Sequence, residues 1–141
     1  MNLNKQRIAI AEHCGKDIPS YTLSEEYVDD PHWNSGFWET TAIFKGGLKL
    51  FCNSRLSEIP SGFPRHNYAW GFLPDYLNDL NAMHEAEKLL TDEQWTEYYD
   101  NLLDTTKPSF VLRDITHATA TQRAEAFLKT IEKWQWMIDD K

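Results

Sequence analysis

The chain has 141 residues, 41% of them apolar and 13% aromatic, and a formal net charge of −8. That length predicts one domain, spanning residues 1–141, and the composition excludes a chain too polar to collapse. No apolar run reaches the roughly 18 to 20 residues of a membrane span, and the acidic balance excludes the basic footprint that non-specific nucleic-acid binding needs.

The opening Met1–Arg7 lacks the apolar core of a signal peptide, which predicts a cytoplasmic protein. Cys14 and Cys52 stand far apart without a CxxC spacing, so they read as small buried hydrophobes and not as a disulfide or a zinc site. The acids are interspersed with lysines, a pattern of solvated faces and not of a mimic of DNA.

A first short helix is predicted with Asn4 as its cap, Ile8, Ala11 and Cys14 on its apolar side, and Gly15 as its left-handed stop. Residues 16–39 hold Pro19, Pro31, Gly36 and the acids Glu25, Glu26, Asp29 and Asp30 without a sustained period, so an ordered but irregular segment is expected. Within it Trp33, Phe37 and Trp38 need somewhere to pack. Thr40–Phe44 and Leu48–Cys52, separated by Lys45, Gly46 and Gly47, have the composition of an antiparallel hairpin. Residues 53–74 are punctuated by Pro60, Gly62, Pro64, Gly71 and Pro74, which argues against a long helix and leaves room for a strand at Tyr68–Phe72.

The second half is periodic. With Asp75 as cap, Tyr76, Leu80, Met83, Ala86 and Leu90 recur at steps of three and four opposite Asn78, Asn81, Glu85 and Lys88, which predicts an amphipathic helix. Thr91 with Gln94 forms a capping-box pattern before a helix striped by Trp95, Tyr98, Leu102 and Leu103. Ser109–Arg113 reads as a third strand or an extended connection. Thr119 with Gln122 repeats the capping box, and Ala120, Ala124, Phe127, Ile131, Trp134 and Ile138 predict a last helix of about five turns.

Arg123 falls on the apolar stripe of that last helix, near its amino end. A charge there has two readings. Its head can pair with a carboxylate of a neighbouring helix, such as Asp79 or Glu85, or it can face a cleft and bind an anion beside the free N–H groups of the helix start. Arg55, Arg65 and His66 lie close in sequence to Tyr68 and Trp70, the residue types that hold phosphate by charge and a base by stacking. His84 and Glu87 are too few for a metal site, and the adjacent His13 and Cys14 point about 100° apart on a helix, too far to share a proton. There is no glycine-rich phosphate loop, GxSxG or HExxH pattern, so neither a cofactor, a metal nor an enzyme is expected.

Pro74–Lys88 (PDYLNDLNAMHEAEK) and Ala118–Leu128 (ATATQRAEAFL) resemble the two signature helices of the phage ABA-sandwich domain family, and Ile8–Gly15 (IAIAEHCG) resembles its opening helix. The stretch from Lys16 to Leu73 lies outside the resemblance. The resemblance implies a small phage or prophage protein of the α+β class, with helices packed on the faces of an antiparallel sheet in an α-β-α sandwich.

Its layout is also similar to that of the Thoeris anti-defence sponges. By that analogy the chain is a homo-oligomeric, non-catalytic binder in the host cytoplasm that sequesters a nucleotide-derived immune signal, a cyclic oligonucleotide or a cyclic ADP-ribose isomer. By the same analogy Arg123 and the polar face holding Asn78 and Asp79 become ligand contacts, and the full expected site adds Gln122 and Thr119 at the start of the same helix and Arg65, Trp70 and Arg55 from their residue types. Two other readings are an acidic inhibitor that blocks a host protein through its carboxylates, and a hydrolase using His66 or His117 as base.

Overall fold

The computed structural model describes residues 2–32, 35–106 and 116–134. The fold is α+β, with a three-stranded antiparallel sheet and five α-helices among the described residues. The chain divides into two compact units, Ile18–Gly71 and, from either side of it, Met1–Asp17 with Phe72–Lys141.

The unit built from the two ends is helical. Helix α1 (Leu3–His13) is capped by Asn2, whose side chain accepts from the backbone N–H groups of Asn4 and Lys5. The cap therefore lies two residues before the expected Asn4, which is itself a first-turn donor. Gly15 ends the helix at φ +73°, as its sequence position predicts. The N–H groups of Gly15 and Lys16 return to the carbonyls of Glu12 and Ala11, which satisfies the last orphan acceptors.

The amphipathic pattern after Pro74 yields a shorter helix than expected, α3 (Leu80–Glu87). Asp79, not Asp75, caps it, and Asp75 instead accepts the side-chain amide of Asn78 in the turn before it. Its buried side chains are Met83, Ala86 and Glu87, while Leu80 is exposed. Helix α4 (Asp92–Thr105) begins at the expected Thr91 and Gln94 capping box after an almost immediate turn.

Helix α5 (Ala120–Thr130) begins at the matching Thr119 and Gln122 box. It ends sooner than the apolar period suggests, because Glu132 turns into the left-handed region at φ +62° and Lys133 N–H bonds back to Leu128. The expected strand at Ser109–Arg113 and the continuation of the last helix through Ile138 lie outside the described residues. The four helices bury one shared core of Ile10, Tyr76, Met83, Leu102, Phe127 and Leu128, with small alanines at 11, 86, 124 and 126 filling the gaps. Asn101 donates to Thr130 and Thr121 to the Leu77 carbonyl, two part-buried bonds that link these elements.

The second unit carries the sheet, in the order β1-β2-β3. Strand β1 (Tyr21–Asp30) pairs with β2 (Ser35–Phe44) over ten residues, from Tyr21 opposite Phe44 to Asp30 opposite Ser35. Thus the irregular segment expected over residues 16–39 is largely strand. Its periodicity is hidden because residues 22–27 are exposed, so neither face calls for apolar side chains.

The hairpin from β2 to β3 (Lys49–Cys52) forms where expected, with Gly46 and Gly47 supplying φ of +106° and +97° in the turn. A 3₁₀ turn at Leu56–Glu58 leads to α2 (Phe63–Phe72), a helix where a strand was expected at Tyr68–Phe72. Pro64 sits in its first turn, where no N–H is needed, so the proline that seemed to forbid a helix starts one. Helix α2 stacks Tyr68 on Phe44 of β2, with ring centroids 4.9 Å apart, and buries Ala69.

A non-glycine residue in the left-handed region is strained, and a glycine there is not. Glu132→Gly is therefore expected to raise stability by about 1 kcal/mol, read as a higher guanidinium midpoint with an unchanged slope.

Candidate functional site

Arg123 is held in a closed ion pair. Its side chain is 12% exposed, and its Nη1 lies 3.3 Å from Oε1 of Glu87, itself 5% exposed on α3. Nε donates to the Ala118 carbonyl at 3.2 Å, and Nη2 to the Thr116 carbonyl at 3.4 Å. The same Glu87 oxygen accepts the Tyr98 hydroxyl at 2.8 Å, and His84 Nδ1 stands 3.4 Å from the other oxygen. One carboxylate thus joins α3, α4 and α5. The partner is Glu87, neither of the two expected carboxylates: Asp79 caps α3, and Glu85 faces solvent with Lys88.

A lone buried carboxylate is costly, so three neighbours converge on Glu87. Tyr98 shows the effect of that environment. Burial first, and then the charge of Glu87, raise its hydroxyl well above the ordinary phenol range. Tyr76 follows the same logic, pushed up to about 12 by burial and by the adjacent Cys14. Burial also raises the half-buried Cys14 thiol, and the exposed His13 packs edge-on against Phe127 at 5.5 Å.

The other expected contacts have structural duties as well. Thr119 and Gln122 exchange the two capping-box bonds at the start of α5, at 3.2 and 2.9 Å. Asn78 donates to Asp75, and Asp79 accepts from Asn81. Thr119, Gln122, Asn78 and Asp79, with Arg123, belong to the helical unit. Arg55, Arg65 and Trp70 belong to the sheet unit.

There Arg55 lies over the Trp38 ring at 4.3 Å and pairs with Glu25 at 3.6 Å, while Tyr27 meets the edge of Trp38 at 5.5 Å. Arg65 and Trp70 are five positions apart on α2, about 140° around the helix, and so do not share a face. Comparison with protein-family models, curated proteins and solved structures finds no match. Among the described residues, no group of three or more His, Cys, Asp or Glu is placed to hold a metal ion, and no helix is long and apolar enough to cross a membrane.

Sequence reasoning missed the roles of Glu87 and Tyr98 as partners around Arg123, and missed Arg7. The signal for Glu87 was present, since it stands four residues after Met83 and three before Leu90, on the same stripe as Arg123 on its own helix. Arg7, buried on α1, has no such signal. Its guanidinium donates to the carbonyls of Leu73 and Pro74, a backbone stretch that only the tertiary fold brings to it.

Glu87→Ala leaves a guanidinium buried without its counter-charge and is expected to cost about 3–5 kcal/mol in urea unfolding, with the Arg123→Ala, Glu87→Ala double variant losing less than the sum of the two singles. Unfolded phenols ionise near 10.0, whereas Tyr98 and Tyr76 keep their protons above that pH when folded. The folded chain then binds more protons than the unfolded one. Stability is fully present below the unfolded value and falls as pH rises through the folded ones. Tyr98→Phe is expected to flatten this alkaline decline by about one proton between about pH 10 and 12, measured by urea unfolding across that range.

Proposed function

We propose that the chain is a non-catalytic binding protein whose partner is another protein, met through the acidic and partly apolar surface of the sheet unit. One observation carries this reading. Leu23, Tyr27, Ile43, Phe51, Leu56 and Trp70 are exposed there, with Tyr27 at 52%, Phe51 at 58% and Trp70 at 77%, beside the carboxylates of Glu25, Glu26, Asp29 and Asp30. Apolar and aromatic side chains left in water, bordered by charge, are characteristic of a protein interface.

The sponge reading asks more of these residues. A nucleotide phosphate at Arg123 must displace Glu87, and one at Arg55 must compete with Glu25. Arg123 is largely buried and already paired, and Arg55, half exposed, pairs with Glu25 through one nitrogen. The resemblance of Pro74–Lys88 and Ala118–Leu128 to the phage family enters this proposal as the setting, a protein acting on a bacterial host component.

Immobilised chain is expected to retain a stoichiometric protein from bacterial extract. Retention should fall about tenfold between about 50 and 300 mM salt and be lost in a Tyr27→Ala, Phe51→Ala variant. Calorimetry with cyclic oligonucleotides and cyclic ADP-ribose isomers is expected to give no binding heat. Binding of any of these, or their conversion into product, overturns the protein-partner reading.

A further inference from the structure

We infer that β1 receives an extended, basic segment of the partner as a fourth strand, a conclusion that rests on the protein-partner reading and names how the partner docks. β1 is the outer strand of the sheet. Among the described residues its ladder hydrogen bonds run only to β2. Alternate N–H and C=O groups along an edge strand point away from the sheet and are open to another chain.

Folded proteins guard such edges with proline, lysine, bulges or short length. Here the strand is ten residues long, pairs with β2 without a skipped position, and contains no proline, glycine or lysine. Among the described residues its guards are four acids. That choice excludes some partners and admits others.

A second copy is the first to be excluded. In antiparallel self-pairing centred on the strand, adjacent registers place Glu25 opposite Glu26, Glu25 opposite itself, or Glu26 opposite itself. Like charges directly opposite are destabilising. The same positions favour lysine or arginine on an incoming strand. Glu25 is already held by Arg55 and the Leu56 N–H, so the attraction falls to Glu26 and Asp29, which pair with no cation among the described residues, and to Asp30.

A hollow at the far end of β1 supports the same partner. It has a volume of about 260 Å³ and is lined by Tyr27, Asp29, Asp30, Pro31, Ser35 and Gly36. Two carboxylates and an aromatic wall suit the head and stem of a long cationic side chain. Gly36 makes the wall possible, because a Cβ there would stand 2.5 Å from the Tyr27 ring.

The test uses the full chain and a synthetic decapeptide with lysines at both ends and valine and threonine between them. Calorimetry is expected to show binding, with amide exchange slowed in β1. Affinity is expected to fall about tenfold or more in the Glu26→Lys, Asp29→Lys variant and for a peptide N-methylated at alternate residues. Both substitutions are on the surface, so an unchanged thermal midpoint shows that the variant is folded.

Equal binding of the methylated peptide, protection outside β1, or a dimer of the chain that the lysine variant abolishes overturns the inference. If the captured protein is retained while the decapeptide neither binds nor competes, the β1 assignment fails and the protein-partner reading stands. If neither protein nor peptide binds, both fail.

Discussion

The carboxylate of Glu87 is the point on which the helical unit depends. Removing a charge from water costs several kcal/mol unless hydrogen bonds and an opposite charge replace the solvent. At Glu87 the replacements come from Arg123 on α5 and Tyr98 on α4, with His84 of its own helix nearby. Satisfying one group therefore fixes the mutual positions of three helices. Hydrophobic burial drives these helices together, but it is tolerant of register, and a hydrogen-bonded charge is not.

That arrangement explains why the arginine on the apolar stripe is not an open anion site. Its guanidinium also fastens the carbonyls of Thr116 and Ala118, so it closes the chain leading into α5. The capping boxes at Thr91 and Thr119 do comparable local work at the helix starts. Polar residues that resembled a ligand cradle in the linear sequence are occupied in ending helices and neutralising one another.

The sheet unit has the opposite character. Its strands leave aromatic and acidic side chains in water, and its outer strand carries four acids. The Arg55, Trp38 and Tyr27 stack holds the middle of that surface in place by cation–π and edge-to-face contacts.

The sequence by itself determined the helix starts at Thr91 and Thr119, the Gly15 stop, the β2 and β3 hairpin, and the presence of a charge on the last helix's core stripe. Each rests on residues within a few positions of one another, where spacing and side-chain chemistry decide the outcome. The tertiary structure decided the rest. It paired Arg123 with Glu87, residues 36 positions apart, and brought the Leu73 and Pro74 carbonyls to Arg7. It also made a strand of Tyr21–Asp30, whose exposed faces carry no period, and a helix of Phe63–Phe72, whose proline and glycine read locally as breaks. Those outcomes depend on partners distant in sequence, and no local pattern records them.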